Sequence, residues 1–363
     1  MPQPAHRSPN RSFAALLAAL ACIACIAWPA VAAAPAGAAR IPLIVGLTTV
    51  RAIAEPVGDY ESLLTVVSVD RLAYRLTLSS EVPNGPGRSP SEIRVARTVL
   101  FDDHRAARVV RNRYNVNDAA TFAGTSPSLS SAVLGELRSR GQAGLTLIDS
   151  REVAGVPSER RFAGTMTRVT SAPATLRMLV NGRPTELAVI HAKGTLADAR
   201  GSFELEFDAL DDADNPLLLT SKGPGFSTRI VRIQYPEPKG PESIEAKLAE
   251  RLPADIYGIF FAFASATLRP ESEPVLGEIA DVMTAHPDWT LQVDGHTDAI
   301  GGDAANLDLS KRRSPAVKAA LVERYGIAAA RLATDGHGAR SPKDRNDTAE
   351  GRARNRRVEL RRR

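Results

Sequence analysis

The cluster Pro236, Pro238, Gly240 and Pro241 constrains this chain more than any other feature. Proline cannot donate to a sheet ladder or continue a helix, so no regular element runs through the cluster. The apolar pattern also changes across it. Before it the period is two; after it, short period-two runs alternate with runs of helical spacing. The cluster therefore predicts a domain boundary. Residues 236–254 read as a Pro/Gly linker carrying a short helix, with Ile244, Leu248 and Leu252 on one face.

Residues 40–235 are expected to be β-rich. Tyr74, Leu76 and Leu78 alternate with Arg75 and Thr77, Phe203, Leu205 and Phe207 with Glu204 and Glu206, and Val231, Ile233 and Tyr235 repeat the pattern. Turn signals separate the runs at 83–87, Asn181-Gly182 and Gly223-Pro224-Gly225. One helix interrupts them, capped near Ser128 or Ser130, with Val133, Leu134 and Leu137 apolar and Gly141 as its stop. A soluble antiparallel sandwich or barrel-like domain is the simplest assembly. A membrane-spanning barrel needs strands of roughly ten residues with aromatic girdles, and aromatics are only 5% of the chain.

The first residues have the three parts of a secretory signal: Arg7 and Arg11, an apolar run from Phe13 to about Ala30, and the small-residue motifs Ala30-Val31-Ala32 and Ala36-Gly37-Ala38. Residues 1–38 are accordingly read as a signal peptide, which implies an exported protein of the periplasm or outer membrane. Both cysteines, Cys22 and Cys25, fall inside it, leaving no disulfide to hold the rest. Two alternatives use the same segment: lipidation at Cys22, and retention of Phe13 to Ala34 as a membrane anchor.

Chemistry is sparse before the boundary. Asp208, Asp211, Asp212, Asp214 and Asn215 lack the alternation and glycine of a calcium loop and read as an exposed turn. His104 and His191 stand alone, and neither a phosphate loop nor a nucleophile elbow is present. No enzyme, cofactor or metal is expected. The basic tail Arg352, Arg354, Arg356, Arg357 and Arg361 to Arg363 has no stacking aromatics, so nucleic acid is not an expected partner.

Residues 255–363 change character. Ile256 to Phe263 is strand-like; Val275, Leu276, Ile279, Val282 and Met283 have helical spacing; Thr290 to Gly295 is a second strand. A helix covers much of Leu307 to Tyr325 up to Gly326, followed by a strand at 332–336, a short helix at 348–355 and a strand at 356–361. The order β-α-β-α-β-(α)-β predicts a two-layer α+β domain. Gly295 and Gly336 are read as turn-permitting positions.

Within it, Gly295-His296-Thr297-Asp298 and Gly301 lead to Asn306-x-x-Leu309-Ser310-x-x-Arg313 and Val317. Gly336-x-Gly338, Pro342, Asn346-x-Thr348 and Gly351-Arg352-Ala353-x-Asn355-Arg356-Arg357-Val358-Glu359 follow. This set of spacings resembles the OmpA-like peptidoglycan-binding domain over roughly residues 255–361. The resemblance implies binding of the diaminopimelate in the peptidoglycan stem peptide, with Asp298 receiving the ligand's ammonium and Arg313 its carboxylate. Thr297 and Asn306 are placed to add neutral hydrogen bonds. A planar guanidinium forks onto a carboxylate and an acid accepts ammonium protons, so the pair suits a zwitterion. Asn306 and Arg313 lie two helical turns apart and share a face.

The implied protein is a cell-envelope anchor whose N-terminal domain adds contacts to outer-membrane or other envelope proteins. Two alternatives carry the same anchor: an outer-membrane β-barrel protein, and a motor-stator-like subunit that retains its N-terminal helix. Departures from the family pattern are Ala262 and Ala264, where an acid or amide is usual, and Ser314-Pro315. Proline inside a helix costs roughly 3 kcal/mol. A kinked but continuous helix is expected, with Arg313 keeping its aim toward Asp298.

Overall fold

A computed structural model describes residues 39–56, 58–84, 89–111, 123–153, 156–237, 240 and 243–363, without the side chains of 58 and 151–158. The expected signal segment, with its cleavage motifs and Cys22, lies outside the described residues, as do Pro238 and Pro241 of the boundary cluster. The described residues belong to one compact unit. No described helix is long and apolar enough to cross a membrane.

Strands β1 (Thr48–Glu55), β2 (Gly58–Val69), β3 (Ala73–Val82) and β4 (Ser91–Leu100) pair in sequence as an antiparallel meander. Helix α1 (Phe101–Ala106), β5 (Val109–Arg111) and helix α2 (Ser131–Arg140) follow. Then come β6 (Gln142–Val153), β7 (Val156–Arg168), β8 (Ala174–Val180), β9 (Arg183–Asp198), β10 (Gly201–Leu210), β11 (Leu218–Gly223) and β12 (Phe226–Gln234). The twelve strands share one hydrogen-bonded network. Strand β8 pairs with both β9 and β12, which closes a ring β8–β9–β10–β11–β12. Two wings leave this ring, β1 to β4 from β12 and β7, β6, β5 from β9. Ser130 accepts a hydrogen bond from the Val133 amide and Gly141 turns left-handed (φ 72°), so α2 begins and ends at its coded cap residues.

The second sheet is small and mixed. After α3 (Ile244–Ala249) come β13 (Ala254–Ile256), α4 (Glu273–Ala285), β14 (Leu291–His296), α5 (Asp303–Tyr325), β15 (Leu332–Gly338), α6 (Ala349–Asn355) and β16 (Val358–Arg362). The sheet order is β13-β16-β14-β15, with β14 parallel to β15 and antiparallel to β16. Leu276, Ile279 and Met283 of α4 and Val317 and Leu321 of α5 bury against Leu291, Val293, Leu332 and Leu360, giving helices on a sheet.

Three local expectations are corrected. Of the strand-like run Ile256 to Phe263 only Ile256, the last residue of β13, pairs in the sheet, because Ile259 and Phe260 serve different cores and Ala264 (φ 50°) turns the chain back. Helix α5 starts at Asp303 rather than Leu307 and continues through Pro315. Ser310 is therefore an interior residue: its hydroxyl accepts from the Gly338 amide, and the Ser314 hydroxyl lies 2.6 Å from the Asp335 carbonyl, tying the helix to β15 beside the proline. Gly295 and Gly336 are not turn residues, since neither has a positive φ. A Cβ at Gly295 would stand 2.8 Å from the Ser310 carbonyl oxygen and one at Gly336 2.3 Å from the Lys311 amide. Glycine there lets α5 lie directly on the two strands.

The two sheets meet across a buried apolar seam. Val50 of β1, Leu63 of β2 and Val231 of β12 pack with Phe260 and Ala353. Burying one such side chain stabilises by roughly 1.5–3 kcal/mol. Ion pairs Arg94–Glu271 (2.9 Å) and Arg229–Glu350 flank the seam.

Candidate ligand-binding site

The loop between β14 and α5 is fixed from several sides. The Asp298 Oδ1 accepts from the Ile300 amide (2.9 Å), a turn that carboxylates close on their own backbone. Asn306 Nδ2 donates to the carbonyls of Asp298 (3.0 Å) and Ile300 (2.8 Å). The Asn346 Oδ1 accepts from the Ala299 amide and from Asn355 Nδ2, and the wholly buried Asn355 also accepts from the amides of Lys343 and Asp344. The loop is thus held before any ligand arrives. Asn306, expected to offer a hydrogen bond outward, uses its amide nitrogen within the loop. Thr297 is buried and its Oγ1 has no hydrogen-bond partner among the described residues.

Asp298 and Arg313 flank the same region without touching. Asp298 Oδ2 is 2.5 Å from Arg356 Nη1, and the other terminal nitrogen of Arg356 pairs with Glu61 of β2. Burial opposes the Arg356 charge, but Glu61 and Asp298 together hold its pKa above the ordinary value. Arg313 donates from Nε to the Ser265 carbonyl (2.9 Å), and its guanidinium lies 4.7 Å from the Phe261 ring centroid. Among the described residues it makes no ion pair. Burial, reinforced by repulsion from Arg356 and Arg312, lowers its pKa to about 10, so it stays charged at neutral pH.

Arg313 and Arg356 border a cleft of about 100 Å³ that also exposes Gly295, His296, Phe261 and Arg232. Arg232 of β12 is buried, which lowers its pKa to about 10, and it lies 5.2 Å from the Phe260 ring. His296 stacks on His337 at 5.1 Å. Burial first, then the charge of Arg357, pushes the His296 pKa down to about 4, and neither ring nitrogen has a hydrogen-bond partner among the described residues. No group of three described His, Cys, Asp or Glu side chains is arranged to hold a metal. The cleft is a cationic pocket with a pre-formed loop beside it, suited to holding a carboxylate-bearing ligand by hydrogen bonds and charge.

Arg356 and Glu61 are the residues that sequence reasoning missed. Arg356 stands inside the quoted run Asn355-Arg356-Arg357-Val358-Glu359 but was grouped with a basic tail. In the structure that tail is internally matched: Arg357 meets Asp255 (2.9 Å) and Glu359 (3.3 Å), and Arg361 meets Asp294. No signal in the sequence brings Glu61 across nearly 300 residues to Arg356.

Residues 260–356 match the OmpA family, and the chain carries an OmpA-family domain there. Outer membrane protein A of Bordetella avium is 46% identical over 101 residues, which are 28% of this chain and 52% of that protein. The peptidoglycan-binding protein ArfA of Mycobacterium bovis is 40% identical over 102 residues, 28% of this chain and 31% of the relative. The cell wall anchor of the T6SS from Pseudomonas aeruginosa, a solved structure, is 38% identical over 28% of this chain and 72% of its own, with a TM-score of 0.25. The chain spans about half or less of the length of the curated relatives it matches.

Proposed function

We propose that this protein is a cell-envelope anchor that binds peptidoglycan non-covalently through the diaminopimelate of the stem peptide. The observation that carries the reading is Arg313: a desolvated cation without a carboxylate partner, opening onto a cleft beside an acid-bearing loop. The free end of diaminopimelate bears a carboxylate and an ammonium on one carbon. Arg313 takes the carboxylate, and Asp298, drawn partly away from Arg356, takes ammonium protons. Thr297 Oγ1 is a polar atom within this loop that lacks a partner among the described residues. Asn306 holds the loop rather than the ligand. The chain acts by binding and performs no catalysis, and its place is the periplasmic face of the envelope.

One well-formed charge-assisted bond contributes roughly 1.5–3 kcal/mol, so affinity per site is modest. The wall polymer repeats the ligand, and multivalent contact raises retention. The reading is tested by co-sedimentation of the full chain with purified sacculi. The wild type is expected in the pellet, with Arg313→Ala and Asp298→Ala reduced about tenfold or more. Equal pelleting of the three proteins contradicts it.

A further inference from the structure

The large apolar side chains exposed among the described residues are not spread evenly: Ile44, Val45, Val67, Val69, Leu72 and Leu100 all lie at one end of the β1–β4 meander. Backbone bonds bring them together. The Gly46 amide donates to the Val66 carbonyl (2.8 Å), which sets the turn at 44–46 beside Val67. The Phe101 amide donates to the Leu72 carbonyl (2.8 Å), which sets the β2–β3 hairpin beside Leu100. A bulge between Val66 and Ser68 leaves Val67 without a cross-strand partner, and Leu72, at the hairpin tip, is 76% exposed. The acids near this end are engaged. Asp70 accepts from the Leu72 and Ala73 amides (2.7 and 2.9 Å), Asp103 from the Gly124 amide (3.1 Å), Asp102 pairs with Arg105, and Asp212 and Asp214 pair with Arg40. Arg71 and Arg75 are exposed on the same hairpin and make no ion pair among the described residues.

We propose that this end of the meander is a docking surface for an anionic lipid membrane, its apolar side chains entering the headgroup layer and Arg71 and Arg75 meeting lipid phosphates. The six side chains project from two turns, a bulge and a strand end rather than from one flat face, which suits a deformable interface better than a rigid protein partner. Aliphatic side chains reach past the headgroups while guanidinium groups stay at their level. A second copy of the chain offers no free acidic counterpart in its 208–214 turn, whose acids are already matched to Arg40, Arg138 and His191. The chain also enters at this end, since Ile44 follows four residues after Arg40. Lipidation at Cys22 and an anchor over Phe13 to Ala34, the two membrane-retained readings of the sequence, would both tether this end to a bilayer. The cleft lined by Glu61 and Leu63 lies toward the other end of β2. From Glu61 to Val69 the strand rises roughly 25 Å, so one molecule can hold a membrane and a cleft ligand at once. The proposal stands on the patch and not on what the cleft binds.

The test uses the chain from residue 39 onward, which keeps all four apolar clusters of the fold and removes the apolar run 13–34 as a competing source of membrane binding. The probes are vesicles of mixed phosphatidylethanolamine and phosphatidylglycerol, and vesicles of phosphatidylcholine. Flotation is expected to recover the wild type with the anionic vesicles and little of it with the neutral ones. Leu72→Ser should lower the partition coefficient about fivefold or more. The double variant Arg71→Gln/Arg75→Gln should lower it about tenfold or more and lose the preference for anionic lipid. Leu252→Ser, at a leucine 50% exposed outside the patch, should bind as the wild type does. In Leu72→Trp the new indole is expected to be quenched by brominated lipid, with Trp289, 5% exposed, as the internal reference. Unchanged unfolding midpoints show that the variants fold. No binding by the wild type, an equal loss in Leu252→Ser, or unchanged binding in both patch variants overturns the proposal. So does a wild-type dimer in sedimentation velocity that Leu72→Ser dissociates and vesicles do not, because the patch then belongs to a second copy.

Discussion

The acidic turn of the β region and the cleft of the OmpA-family domain both gather charge, and they dispose of it differently. In the turn, Asp212 meets Arg40 (2.8 Å), Asp211 meets Arg138, Asp208 meets His191 (2.9 Å), and Asn215 donates to the Ile41 carbonyl (3.0 Å). Each group there is consumed in holding neighbouring segments together. In the cleft, Arg356 is shared by two acids, while among the described residues Arg313 meets none and the buried His296 has no partner for either nitrogen. Internally matched charge is structural; desolvated charge left unmatched beside a cleft is a binding capacity held in reserve.

The cleft also holds an acid-sensitive group. His296 has a folded pKa of about 4 against an ordinary 6.5, so the unfolded chain takes up its proton first as pH falls. Its contribution is complete above pH 6.5 and is lost progressively toward pH 4, amounting to about 3 kcal/mol across the window. Urea unfolding of the wild type and His296→Gln at pH 7 and pH 4 should show the variant losing about that much less. Parallel losses in the two proteins would remove His296 from the account.

A smaller effect should separate the two regions cleanly. Asp211→Asn strips a partly buried arginine of its partner and should lower stability by about 1–3 kcal/mol, with sacculus binding unchanged. Arg313→Met removes a desolvated cation that no acid meets among the described residues, and should leave stability within about 1 kcal/mol while reducing sacculus binding about tenfold or more. Chemical unfolding and sacculus pelleting on both variants check the pair. A large stability loss in Arg313→Met would make that arginine structural like the rest.

The sequence revealed most where the signals were local. The cap at Ser130, the stop at Gly141, the left-handed Gly326 and the alternation in β10 are set by neighbours a few residues apart. The loop 297–306 and Arg313 are singled out in the sequence by their fixed spacings. What stayed hidden depends on distant chain. Pro315 is carried inside α5 with Ser314 tied across to β15, and the Gly336 backbone contact explains a glycine that looked like a turn. The run 256–263 shows period-two alternation yet feeds two cores, because the β region supplies a second surface for Phe260. The same docking brings Glu61 to Arg356, and hydrophobic periodicity carries no information about it.

The central claim is that the unmatched Arg313 guanidinium takes a ligand carboxylate. The most direct measurement is calorimetric titration of the full chain with L-Ala-γ-D-Glu-meso-diaminopimelate carrying either a free or an amidated carboxylate at the free end of the diaminopimelate. Amidation should weaken binding to the wild type by about tenfold or more and leave the residual binding of Arg313→Met unaffected. Equal affinity of the wild type for the two peptides would contradict the account.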